Sequence, residues 1–113
     1  MFSGAKMKNA LQQYLDGFNQ GDADMIISLF ADDAKSEDPV GGGQIVQGKE
    51  AITAFYQRGV ALVERLELDT PIRGSHGQFA AMAFTIYLNM DGKRSVIRAI
   101  DVMTFNASGK IVD

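Results

Sequence analysis

Cysteine and tryptophan are absent from the 113 residues, histidine occurs once and proline twice. Without cysteine there is no disulfide framework and no thiolate metal site. The one histidine, His76, falls in Arg73-Gly74-Ser75-His76-Gly77, a turn without the ligating partners a metal site needs, so no metal is expected. Positive charge is also scarce: 11 Lys and Arg against 14 Asp and Glu leave a net charge of -3, which argues against a nucleic-acid surface. No apolar stretch approaches the ~20 residues needed to span a bilayer. Residues 1–9 carry no apolar run after their lysines, so they do not read as a secretory signal. These absences predict a soluble cytoplasmic protein. No repeat, linker or low-complexity segment interrupts the chain, and the expectation is one domain over residues 1–113.

Hydrophobic residues make up 46% and charged residues 22%, enough apolar surface for a core and too much for global disorder. Seven Phe, three Tyr and six Met are generous for this length. Such side chains fill cores first, and they also line pockets for flat apolar ligands.

Met7, Leu11, Tyr14, Leu15 and Phe18 recur at three- and four-residue spacing and predict an amphipathic helix ending at Asn19-Gln20-Gly21. Asp22 is a good N-cap for a short second helix carrying Met25, Ile26, Leu29 and Phe30. Residues 31–43 read as a loop with one brief strand, because Pro39 and three glycines cannot continue a helix. A third helix is expected over residues 49–62, burying Ile52, Phe55, Tyr56 and Val60. Beyond Leu62 the apolar period shifts to 2: Leu66, Leu68, Thr70 and Ile72, then Met82, Phe84, Ile86 and Leu88. Asp91-Gly92 is a two-residue hairpin signal, followed by a strand over residues 93–105, a turn at Asn106-Ala107-Ser108-Gly109 and a stub over residues 110–113. Three helices followed by an antiparallel meander predict an α+β domain with the helices on one face of the sheet.

The hairpin carries a chemical clue. With Asp91-Gly92 as the loop, Met90 pairs with Lys93, and Asp101 falls opposite Met82, Ala99 opposite Phe84, and Ile97 opposite Ile86. Side chains at period 2 share a face, so Asp101 lies among Ile97, Ala99, Met103 and Phe105. The opposite face is expected to be a more polar mix around Arg98 and the neighbours of Lys93. A carboxylate on an apolar face loses its hydration, and such a group usually takes up a proton and becomes a hydrogen-bond donor. Tyr14 lies in the buried stripe of the first helix, where its hydroxyl needs a partner. Asp38, in Ser36-Glu37-Asp38-Pro39-Val40-Gly41, starts the glycine-rich loop at the end of the helical layer.

These stretches together resemble the bacterial steroid Δ-isomerases, the ketosteroid isomerases of the NTF2-like superfamily. The resemblance runs through Gln12-Gln13-Tyr14, Asn19 to Asp22, Leu29-Phe30-Ala31-Asp32-Asp33-Ala34 and Glu37-Asp38-Pro39-Val40-Gly41. It continues through Ala54-Phe55-Tyr56, Ala81 to Phe84 and Ile100-Asp101-Val102-Met103. It implies a cone of curved, mainly antiparallel sheet wrapped by three amino-terminal helices, with the last strand cut short because the sequence stops where that strand begins. By the same resemblance Asp38 is the catalytic base, Tyr14 and Asp101 the two oxyanion donors, and Tyr56 the tyrosine that supports Tyr14. Phe30, Phe55, Met82, Phe84, Ile86 and Met103 are then expected to line the sterol pocket. The implied protein is a homodimer that needs no cofactor and binds a 3-ketosteroid.

Weaker signals fail on their chemistry. Residues 43–49 have the spacing of a phosphate-binding loop, but Glu50 stands where Ser or Thr would hold Mg²⁺. Asn106-Ala107-Ser108 matches a glycosylation acceptor, which has no meaning without secretion. Asp32, Asp33 and Glu37 read as a solvated acidic face. Another NTF2-like enzyme, a polyketide cyclase or a dehydratase, remains the alternative, as does a ligand-binding module of the same fold. A dehydratase calls for a catalytic histidine that a turn at His76 does not supply, and a binding module has no reason to bury Tyr14 and Asp101 together.

Overall fold

The computed structural model describes residues 4–38, 44–74 and 78–113, and the side chains of Glu37, Asp38 and Gln44 lie outside the described residues. The expected glycine-rich loop 39–43 and the turn at His76 therefore lie outside them as well.

The first helix, α1 (Gly4–Gln20), buries Met7, Ala10, Leu11, Tyr14, Leu15 and Phe18, the stripe that its spacing predicts. Gly21, at φ 66, ends it in the left-handed region that glycine enters without steric cost. Asp22 caps α2 (Ala23–Ile27) by accepting from the Met25 N–H. The second helix is shorter than predicted. Leu29 and Phe30 leave it because the Ile111 N–H donates to the Leu29 carbonyl and the Ala31 N–H to the Ile111 carbonyl. Two hydrogen bonds to the far end of the chain thus replace another helical turn.

Strand β1 (Lys35–Asp38) pairs antiparallel with β2 (Gln44–Gln47), a strand the loop expectation for residues 31–43 did not include. Helix α3 (Lys49–Leu62) has the predicted bounds and buries Ile52 and Tyr56. The main sheet follows: β3 (Val63–Leu68), β4 (Arg73–Gly74), β5 (Phe79–Met90) and β6 (Lys93–Thr104). Thr70 and Ile72, expected to extend the first of these strands, fall between β3 and β4. The long β5 is the centre: β3 and β4 share one of its edges, and β6 pairs along the whole of the other. The register of β3 slips between Val63 and Arg65, a bulge of the kind that curves a sheet.

The β5–β6 register is the predicted one, from Met90 opposite Lys93 to Met82 opposite Asp101. Asp91 and Gly92 both have positive φ, 53° and 83°, as a two-residue hairpin of this hand requires. The core lies between α1, α3 and the inner sheet face, where Ala80, Met82, Phe84 and Met103 are buried with Tyr14 and Tyr56. Ile97, expected among the buried residues, is 46% exposed near the hairpin end. The opposite face departs from the expected polar mix: Val96, Ile100 and Val102 stand exposed there, with Arg98 between them. Of the carboxy-terminal stub, Ile111 is fully buried and bridges both Phe30 and Phe105.

Candidate active site

Tyr56 is the hub of the aromatic layer between helices and sheet. Its ring meets Phe55 at 5.0 Å, Phe30 at 5.2 Å, Tyr14 at 5.6 Å and Phe18 at 5.9 Å between centroids. Tyr14 and Phe18, one helical turn apart, also pack on each other. Most of these contacts are tilted or edge-to-face, the arrangement that aromatic quadrupoles favour. Tyr14 donates to the Tyr56 hydroxyl at 3.2 Å in a buried setting. A phenolic O–H both donates and accepts, so either hydroxyl can serve as the donor of this pair. Phe18 belongs to this cluster although its sequence position reads only as helix stripe.

Asp101 is half-buried on the inner face of β6, opposite fully buried Met82 and flanked by Ala99 and Met103. The neighbouring Arg98 lies on the outer face, opposite Thr85. Of the expected pocket residues, Met82, Phe84 and Met103 are buried, while Phe30, Phe55 and Ile86 are half-buried and packed against the core. Tyr14, Tyr56 and these six residues thus converge on one apolar region, with Asp101 on its sheet wall. Asp38 ends β1, where its backbone pairs with Gln44; its side chain lies outside the described residues.

Asn19, read in the sequence as the end of the first helix and part of the resemblance, joins the helix to the sheet here. Asn19 accepts from the Leu66 N–H at 2.6 Å and donates to the Leu66 carbonyl at 3.1 Å. No local pattern announces such a contact, because its partner lies 47 residues away.

A separate surface cavity of about 380 Å³ lies beside α2 and the start of α3. Phe30 and Ile52 contribute to its walls, with Lys49 and Lys110 among its polar residues. Lys49 pairs with Asp32 at 3.7 Å and Lys110 donates to the Ser28 carbonyl, and the cavity touches neither Tyr14 nor Asp101. Among the described residues no cluster of three His, Cys, Asp or Glu could hold a metal, and no helix is long and apolar enough to cross a membrane.

Helices first, a curved antiparallel sheet behind them and a packed aromatic layer between define an NTF2-like α+β cone of the kind used by small-molecule enzymes. Residues 11–113 match the SnoaL-like domain family, and the chain belongs to it. It is 37% identical over 107 residues to a steroid Delta-isomerase of Nocardioides simplex, covering 95% of this chain and 85% of that one. It is also similar to the solved structure of SalBIII, an epoxide hydrolase/cyclase-like enzyme with a role in pyran ring formation in the polyether salinomycin. That similarity has a TM-score of 0.87 and 29% identity, and covers 99% of this chain and 89% of SalBIII.

Proposed function

We propose that the chain is a steroid Δ-isomerase, which moves a proton within a Δ5-3-ketosteroid to give the conjugated Δ4-3-ketosteroid. The observation that carries this reading is the pairing of Tyr14 with Tyr56 in an apolar cluster between helices and sheet, with Asp101 on the inner face of β6. The proton to be moved sits on carbon between the ketone and the double bond. It leaves only if the negative charge arriving on the ketone oxygen is stabilised. Tyr14 and protonated Asp101 are the two neutral donors to that oxygen, and one such donor is worth ~3 kcal/mol. Neutral donors add no charge to a pocket walled by Met82, Phe84 and Met103. Asp38 is the base: it takes the proton and returns it to the far end of the dienolate, so no second acid is needed. In the working arrangement Tyr56 donates to Tyr14, and Tyr14 donates to the substrate oxygen. No metal or cofactor takes part in this scheme.

The likeness to SalBIII favours one alternative, a cyclase or epoxide-opening enzyme on the same cone. The deciding experiment is incubation with a β,γ-unsaturated 3-ketosteroid while conjugated-enone absorbance is followed. Its appearance supports the isomerase; its absence, together with ring opening of a hydroxy-epoxide, supports the alternative.

The working protein in this proposal is a homodimer formed through the outer sheet face. Ile100 and Val102 on β6 are 73% and 59% exposed, and their partners on β5 are Ala83 and Ala81. A ridge of branched side chains beside a trough of alanines is self-complementary about a two-fold axis.

A further inference from the structure

We infer that Asn19 is a positioning residue that sets the gap between Tyr14 and Asp101; this rests on the oxyanion-hole reading above. The two donors sit on different bodies: Tyr14 on α1, and Asp101 on β6. For both to meet one oxygen, helix and sheet must keep a fixed offset, held to within about 0.5 Å in a working site. The burial that joins α1 to the sheet is non-directional and does not by itself fix sliding along the helix axis.

The Asn19 amide supplies direction. It sits five residues after Tyr14 on the same helix and bonds both the N–H and the C=O of Leu66, as a neighbouring strand would. Leu66 is itself held in register: it pairs with Ile86 of β5, which pairs with Ile97 of β6, four residues before Asp101. The tie thus runs from the end of α1 into β3 at Leu66, and through the pairing of β3 with β5 and of β5 with β6 to the strand that carries the acid. A different side-chain tie from α1, Gln13 to the Met25 carbonyl, goes to α2 and bypasses the sheet. Asn19 therefore holds the offset on which the two-donor geometry depends, through its bonds to Leu66.

The test compares the parent with Asn19→Leu, Asn19→Asp and, as a control, Gln13→Ala. Asn19→Leu keeps the size and removes both bonds; Asn19→Asp keeps the acceptor for the Leu66 N–H and loses the donor. Two readouts are taken: isomerase kcat and KM, and the ionised fraction of a bound substituted phenol, read by its near-ultraviolet absorbance. The phenol reports the strength of the oxyanion hole without turnover, and urea unfolding confirms that each variant is folded at 25 °C. The expected result is a fall in kcat of about 10-fold or more for both Asn19 variants, with KM within about twofold and a smaller ionised fraction. Gln13→Ala, destabilised to a similar degree, should match the parent in both readouts. Asn19 variants that match the parent would overturn the inference while leaving the isomerase reading intact. A parent that binds the phenol as phenolate, more weakly in the Asn19 variants, but leaves the ketosteroid unchanged would sink the steroid reading alone. A parent that binds no phenolate would overturn both.

Discussion

At the scale of single residues the proposed mechanism separates groups that react from groups that hold them. Asp38→Asn removes the basic lone pair at nearly constant shape, so turnover should fall by about 10²–10⁴ while steroid binding, measured by fluorescence or calorimetry, persists. Tyr14→Phe should lower kcat by about 10²–10³ with a small change in KM, because its bond strengthens mainly as the oxyanion forms. Tyr56→Phe keeps four ring contacts and loses only the hydroxyl 3.2 Å from that of Tyr14. Loss of the bond to Tyr14 should cost about 1 kcal/mol or roughly fivefold in kcat. A Tyr56→Phe variant as slow as Tyr14→Phe would assign Tyr56 a direct role at the substrate oxygen.

At the scale of elements, the join between α1 and α2 is tight. A Cβ on Gly17 would lie 2.6 Å from Ile26 Cγ1 and 3.1 Å from the Asp22 carbonyl oxygen. Ile26 is fully buried and the carbonyl is backbone, so neither can give way cheaply. Alanine gains ~1 kcal/mol in helix propensity over glycine, whereas overpacking costs about 1–3 kcal/mol. Gly17→Ala should therefore lower the urea midpoint with the slope unchanged; a rise in midpoint would mean that the two helices move apart freely. The hairpin works the other way, through backbone geometry alone. Asp91 and Gly92 turn the chain at positive φ, and the Gly92 N–H donates to the Asn89 side chain. One local turn sets the register of two twelve-residue strands and hence the face on which Asp101 stands.

At the scale of the whole molecule, the outer sheet face and the end of the chain decide the outcome. If two copies pack through Ile100 and Val102, Ile100→Lys places a charge in that interface, and sedimentation should show the dimer giving way to monomer. An Ile100→Lys protein that sediments like the parent would remove this face from the interface. Ile111 ties the helical layer to the sheet: fully buried, it bridges Phe30 on one side and Phe105 on the other. Ile111→Ala should cost about 2–5 kcal/mol in unfolding free energy, the usual range for emptying such a site. It should also loosen Phe30 against Tyr56, so substrate affinity should fall with stability.

The sequence alone determined whatever depends on neighbours along the chain. The stripe Met7, Leu11, Tyr14, Leu15 and Phe18 declares its buried face through the 3.6-residue period, and the Asp91-Gly92 turn determines which residue faces Asp101. The bounds of α3 follow from the same periodic logic. Tertiary structure decided what depends on distant partners. Leu29 and Phe30 are unwound from α2 by bonds to Ile111, some 80 residues away, which no local propensity encodes. β2 exists because β1 lies beside it, and the Asn19–Leu66 clamp because a helix end meets a sheet edge. The outer face, expected to be a polar mix around Arg98, instead carries Val96, Ile100 and Val102 in alternation. Only the layered structure shows that the helices pack on the other side, leaving these three residues exposed. Burial is a property of the assembled layers, and alternation along a strand does not say which of two apolar faces the helices will cover.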